Sequence, residues 1–286
     1  MTLRLVHIGL GGWGRNWEEL AVPRVPEIQR VACIDSDPAT LATARETLGL
    51  PDAICFSDMT TALESVEADA VLITVQLAGH VSVALAALEA GKHVLVEKPF
   101  APSVAEAKTV VEAAERRGLT LMVSQNYRFF PAPKLAERMV REQALGPLGA
   151  VHVDFRRYAN TAERGGNRHY DLIHPLLYDM AIHHYDLLRM ILAQEPVDIF
   201  VKVTSPAWSN FSGDAAAVMT ITFAGGTIVS YRGSWVSTGP ETAWAGEWRM
   251  ECADGEIAWT SRNGEGVAGD RVTVQRIGRK HARTQE

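Results

Sequence analysis

Asp179, His183 and Asp186 follow one another at i, i+4 and i+7, a spacing that sets all three on one face of a helix. An imidazole beside a carboxylate can take the proton of an alcohol as the alcohol is oxidised, with the carboxylate fixing its tautomer and basicity. A structural Asp–His hydrogen bond inside a buried helix accounts for the same spacing. Lys98 stands in Glu97-Lys98-Pro99, at the end of an apolar run. The proline biases Lys98 away from helical backbone, and an ammonium held there can orient a substrate hydroxyl and stabilise negative charge developing on its oxygen. A surface ion pair with Glu97 explains the tripeptide equally well. Gly9-Leu10-Gly11-Gly12-Trp13-Gly14 fits GxGxxG between a strand-like run and a helix-compatible stretch, where glycines allow a tight turn and close approach of the backbone to a pyrophosphate. The second apolar run ends on Asp35, about twenty residues further on, where a carboxylate accepts hydrogen bonds from adenosine ribose hydroxyls and repels a 2′-phosphate. The pair favours NAD over NADP.

These side chains need elements to position them. From residue 3 to about 123, short apolar runs (LRLVHI, RVACID, AICF, AVLITV, HVLVE, LTLMVS) alternate with helix-periodic stretches such as 38–48 and 103–117. Such alternation predicts a parallel sheet covered on both faces, an α/β doubly wound domain. Ser103 with Glu106 opens one of these helices as a capping box, and Arg116-Arg117-Gly118 closes it. Beyond residue 124 the pattern changes: a loop with Asn126-Tyr127-Arg128, a helix near 133–143, a strand near 149–157, a polar Gly-rich segment to about 173, and a helix from Pro175 to about Leu192. Alternating runs separated by Gly, Asn and Asp turns then fill the chain to its end, which predicts an α+β domain with a mainly antiparallel open sheet. The expected division is a dinucleotide-binding Rossmann domain at 1–124 and a catalytic, substrate-binding and oligomerisation domain at 125–286.

Composition narrows the function classes. The net charge is −6 and the only dense basic stretch is Arg276, Arg279, Lys280 and Arg283, expected as a solvated, frayed tail rather than a nucleic-acid patch. Cys33, Cys55 and Cys252 lie far apart in sequence without a CxxC pair; Cys33 and Cys55 sit in apolar runs that suit buried reduced thiols, and a cytoplasmic location is expected. The first residues enter a strand-like run at once, so no secretory signal is expected. The apolar stretch from about 70 to 90 nears membrane-spanning length, but Gln76, Gly79 and His80 interrupt it, so a strand and a helix are expected there.

Taken in order, GLGGWG, Asp35, the AVLITV strand followed by His80, AGKHVLVEKP, NYRF and DMAIHHYDLLR resemble the Gfo/Idh/MocA family over residues 3 to about 200. The resemblance implies hydride transfer between the nicotinamide and an alcohol carbon of a sugar, cyclitol or related polyol. It gives Lys98 the positioning of substrate before a cis Pro99, His183 the proton transfer and Asp179 its partner. Asp35 would hold the adenosine ribose, the glycine turn with Trp13 the pyrophosphate, and Thr74, His80 and Glu97 would line the cofactor. Tyr127, Arg128, Arg156, Tyr158, Tyr170 and His174 are candidate substrate contacts, chosen as polar or aromatic residues near the implied cleft. Two departures stand out. Asp171 to Tyr178 replaces the family's Gly-rich run, so His174 either contacts substrate or reshapes the pocket. The resemblance also implies a closing segment and returning helix, absent from the sequence up to Glu286. Homo-oligomerisation through the C-terminal sheet is implied too, and Trp208, Trp235, Trp244, Trp248 and Trp259 serve either that interface or the core. Three alternatives stay open: net hydrolysis or elimination by transient oxidation on a tightly bound cofactor, metal-assisted sugar chemistry at His169, Asp171, His174, Asp179, His183 and Asp186, and a non-catalytic sensor. Retention of Lys98 and His183 argues against the last.

Overall fold

A computed structural model describes residues 2–264 and 269–285; residues 265–268, inside the expected C-terminal domain, and Glu286 at its end lie outside the described residues. The chain divides into two compact units, Met1–Ser124 and Gln125–Glu286.

In the first unit the apolar runs form β1 (Leu3–Ile8), β2 (Ile28–Ile34), β3 (Cys55–Phe56), β4 (Ala70–Ile73), β5 (His93–Val96) and β6 (Leu121–Val123). They pair in parallel in the order β3-β2-β1-β4-β5-β6. Side chains alternate across the pleat. Val6, Ile8, Val71, Ile73, Val94 and Val96 pack against Ala84, Ala87 and Val110, while Leu5 and Leu72 bury against Val22 on the other face. Both faces are covered, as the continuous apolar runs require. The helices are α1 (Gly12–Asn16), α2 (Pro38–Leu48), α3 (Met59–Ser65), α4 (Leu77–Glu89) and α5 (Val104–Arg117). Ser103 caps α5 by accepting a hydrogen bond from Glu106 N at 3.2 Å, and Gly118 ends it in the left-handed region. The expected AICF strand shrinks to two residues behind a 3-10 turn at Asp52–Ile54. The stretch after the glycine turn is not one α-helix either: α1 passes into a π-helical turn, Trp17–Ala21, and a 3-10 turn, Val22–Arg24. The apolar stretch at 70–90 is β4 followed by α4, and among the described residues no helix is long and apolar enough to cross a membrane. Cys33 and Cys55, distant in sequence, are register partners on β2 and β3; both are free thiols, Cys33 buried and Cys55 half-buried.

The second unit is an eight-stranded sheet of β7 (Leu148–Arg156), β8 (Pro196–Thr204), β9 (Ala216–Phe223), β10 (Ile228–Ser234), β11 (Glu247–Cys252), β12 (Gly255–Thr260), β13 (Arg271–Arg276) and β14 (Arg283–Gln285), in the order β14-β13-β12-β11-β7-β10-β9-β8. Neighbours are antiparallel except β7 and β10, which run parallel. Val151, Val153 and Phe155 of β7, with Met219, Ile221, Val229 and Met250, turn to one face and bury against α6 (Pro131–Arg141) and α7 (Ala181–Leu192). The basic residues expected in a frayed tail instead stand on and around the β13–β14 hairpin, which closes one edge of the sheet. Trp235, Trp248 and Trp259 are core; Trp208 and Trp244 are exposed. The helix expected from Pro175 starts as a π-helical turn, Leu176–Met180, and becomes α-helical only at Ala181.

His184, on α7, is wholly buried among the rings of Phe155, Tyr231 and Trp248, with Nδ1 3.0 Å from the Tyr231 hydroxyl. Burial pushes its pKa down to about 3. Below the ordinary histidine value the unfolded chain therefore takes a proton that the folded one refuses, and stability falls as pH drops from about 6.5 towards 3. Urea unfolding at pH 6.5 and pH 5 is expected to differ by about 2 kcal/mol from this group, and His184→Gln should shrink the difference. An unchanged pH dependence in the variant overturns the assignment.

Candidate active site

The glycine turn follows β1 directly, and two of its glycines are there because nothing else fits. Gly9 has φ +98, and a Cβ on it would lie 2.6 Å from Val75 N. A Cβ on Gly14 would lie 1.9 Å from Gly9 O. Gly11 and Gly12 face open space, with nothing within 4 Å of where a Cβ would stand. Trp13 is exposed. Asp35, just past β2, braces the turn: Oδ2 accepts from Leu10 N at 2.7 Å and Oδ1 from Asp37 N at 2.9 Å. A carboxylate offers about four acceptor positions, so two remain for ribose hydroxyls. These residues fit a bound dinucleotide.

Under the turn lies a buried chain of polar side chains that the sequence reasoning missed. Thr74 Oγ1 donates to Gly9 O and sits 2.8 Å from His7 Nε2; His7 Nδ1 is 2.7 Å from Glu18 Oε1, and Glu18 Oε2 pairs with Arg30. His7 and Glu18 are shielded from solvent. Burial raises the Glu18 pKa, but His7 and Arg30 outweigh it and hold the carboxyl below its ordinary value. Thr74 thus serves the turn from beneath. The available signal was a histidine inside the first apolar run.

The π-helical turn also aims Trp17 at the end of β5, where its indole donates to Glu97 Oε1 at 2.7 Å while Glu97 Oε2 accepts from Lys98 N at 2.9 Å. Glu97 is buried, which removes the surface ion pair as an explanation of the tripeptide. The Lys98–Pro99 peptide is cis. His80 is buried with Nδ1 2.8 Å from Pro99 O and Nε2 3.0 Å from Val75 O. The neutral ring has one N–H and can donate to one of these two carbonyls, so His80 braces the proline loop.

In the second unit, a 3-10 turn at Asn126–Phe129, where the sequence suggested a loop, brings Tyr127 against α7. The Tyr127 and His183 rings stack at 3.9 Å and 4°. Both are buried, and burial raises the Tyr127 pKa. Asp179 Oδ2 lies 3.2 Å from His169 Nε2, and Asp186 takes a forked pair from Arg128 at 2.9 and 2.7 Å. The three helix-face residues thus meet Tyr127, His169 and Arg128.

Several expected substrate contacts are placed otherwise. Arg128 spends its fork on Asp186. Arg156 shares the pleat face of Asp154, with which it pairs, away from Val153, Phe155 and the helices, and reaches Glu247 at 3.1 Å. Arg157, one residue on, continues the helix-side parity, lies 4.2 Å over the Trp244 ring and pairs with Glu241 at 2.6 Å. Tyr170 is fully buried, its hydroxyl donating to Ala159 O and accepting from Thr161 N and Ala162 N, so it ties down a loop. Tyr158 is exposed with its N–H on Glu241. His174 stands at φ +47 with Nδ1 3.2 Å from Asp214 Oδ2. Among the described residues no three His, Cys, Asp or Glu side chains converge as a metal ion would need.

Two family models match: the Gfo/Idh/MocA "Oxidoreductase family, NAD-binding Rossmann fold" over residues 3–125, and the family's C-terminal domain over 134–258. The D-apiose dehydrogenase of Paraburkholderia graminis is 27% identical over 77% of this chain and 57% of its own length. The inositol 2-dehydrogenase of an Arthrobacter strain is 28% identical over 71% of this chain and 58% of its own length. The chain therefore spans under three fifths of either relative. An inositol dehydrogenase homologue from Azotobacter vinelandii, solved with NADH and myo-inositol, superposes with a TM-score of 0.86 at 21% identity, covering 100% of this chain and 76% of the other. That likeness is one of fold.

Proposed function

Because the chain belongs to the Gfo/Idh/MocA family and is an oxidoreductase, we propose that it is an NAD-dependent dehydrogenase acting on a secondary alcohol of a sugar, cyclitol or polyol. The first unit is the dinucleotide-binding domain and the second the substrate and catalytic domain. Asp35 takes the adenosine ribose and, through its negative charge, disfavours a 2′-phosphate. The nicotinamide, when bound, supplies a hydride acceptor. Lys98 orients the hydroxyl to be oxidised and His183 accepts its proton, with Asp179 and Tyr127 holding the imidazole in place. The observation that carries the proposal is His183, a shielded imidazole whose plane is set by stacking on Tyr127. Proton transfer needs such a fixed direction. A cytoplasmic location accompanies this proposal, as does a homo-oligomer formed through the outer sheet face, where Val218 and Ile228 are exposed.

The test is nicotinamide absorbance of the protein with NAD and a panel of polyols, cyclitols and sugars, alongside NADH and NADPH titrations. NADH should form with at least one member. Asp35→Ala should weaken NADH binding by about tenfold, the loss of a charged hydrogen bond, and narrow the gap to NADPH. Tight binding of NAD without net NADH from any of the panel overturns the dehydrogenase in favour of transient oxidation.

A further inference from the structure

The guanidinium of Arg262 lies 4.2 Å over the Tyr127 ring and 5.2 Å from the Phe130 ring. His183, parallel to Tyr127 at 3.9 Å, covers one face of that ring, so Arg262 holds the opposite face. The residue is locked in place at its backbone. It adopts φ +64, rare outside glycine; its N–H donates to Oδ1 of the buried Asp270 at 3.2 Å, and its carbonyl accepts from Trp244 N at 3.3 Å. Asp270 is fixed in turn by the Ser261 hydroxyl and by Ala132 N. A strained, doubly anchored backbone is spent on aiming one cation.

Among the described residues that cation has no counter-ion. Arg128, Arg156, Arg157, Arg232 and Arg249 of the same unit each hold a carboxylate, whereas among the described residues no carboxylate lies within 4 Å of the Arg262 guanidinium. The Tyr127 hydroxyl, at the edge of the ring between Arg262 and His183, makes no hydrogen bond among the described residues. Two donors on the Tyr127 side of the imidazole are thus without an acidic partner among the described residues.

We propose that Arg262, with the Tyr127 hydroxyl, forms an anion subsite beside His183, and that the substrate is a polyhydroxy carboxylate of the aldonate or uronate type rather than a neutral polyol. The proposal rests on His183 being the proton acceptor. The planar guanidinium fork matches a carboxylate in a bidentate pair. A phosphate dianion calls for more charge than one fork supplies, and Arg128 and Arg157 are each paired with a carboxylate, Asp186 and Glu241. The negative group binds at Arg262 while a hydroxyl further along the carbon chain faces His183.

Matched probes decide it: D-gluconate against D-glucitol, D-galacturonate against D-galactose, and glucose 6-phosphate, measured as kcat/KM with NAD and as binding to the NADH complex by calorimetry. The acids should be favoured at least tenfold, the lower bound for a charged hydrogen bond. Arg262→Leu should collapse that ratio and Arg262→Lys keep part of it, with circular dichroism showing both folded; should the leucine variant not fold, Arg262→Gln takes its place. Acids that bind in an Arg262-dependent way without turnover uphold the subsite and overturn the dehydrogenase. Equal or better response to the neutral probes, a preference that survives in Arg262→Leu, preference for glucose 6-phosphate, or no response to any probe overturns the subsite.

Discussion

Asparagine in place of His183 is expected to lower kcat for NAD reduction by 10²- to 10⁴-fold, the range a positioned general base contributes, while leaving the affinity for NADH nearly unchanged. The imidazole is buried and lies flat against Tyr127 at 3.9 Å, so a polar side chain of similar reach fills the same slot without opening a large cavity. Its neighbour makes the internal control. His184 faces the sheet, where burial keeps it neutral through the physiological range, so His184→Gln should alter stability and its pH dependence and leave the pH profile of kcat alone. Steady-state kinetics separate the two: kcat should collapse in His183→Asn and stay near that of the wild type in His184→Gln. A variant at 183 with wild-type kcat removes His183 from the chemistry.

Adjacent histidines with opposite duties show where the sequence is legible and where it is not. Periodicity identified the helix, because seven apolar residues share it with Asp179, His183 and Asp186. It did not reveal the π-helical turn at Leu176–Met180, since an extra residue in a turn leaves no compositional trace. Strand parity was available and unused. Val151, Val153 and Phe155 mark the helix side of β7, so Arg157 and not Arg156 had to follow them, and a slip of one residue sends a side chain to the other face. Tyr127 and Tyr170 look alike in sequence. One stacks on His183 and the other has its hydroxyl consumed by Ala159, Thr161 and Ala162; long-range packing alone decides between them.

The glycine turn is the reverse case, a motif whose members the sequence treats as equals and the structure separates. Gly14→Ala is expected to destabilise the first unit by several kcal/mol, beyond the ordinary 1–3 kcal/mol for an overpacked methyl, because its Cβ would stand 1.9 Å from the backbone oxygen of Gly9. That oxygen has nowhere to go: Thr74 Oγ1 donates to it, His7 backs Thr74, and Glu18 with Arg30 backs His7, all under a layer that excludes water. Gly11→Ala meets nothing within 4 Å, and Gly11 has φ −59 with extended ψ, which alanine adopts freely. Its melting temperature should equal that of the wild type. If the turn receives a pyrophosphate, the open space at Gly11 is where the backbone must approach it, and the added methyl should weaken NADH binding by tenfold or more. Thermal unfolding and NADH titration on the two variants therefore give opposite patterns: stability lost at Gly14, affinity lost at Gly11 with stability kept. Full NADH affinity in Gly11→Ala moves the dinucleotide away from this turn, whatever the stability of Gly14→Ala.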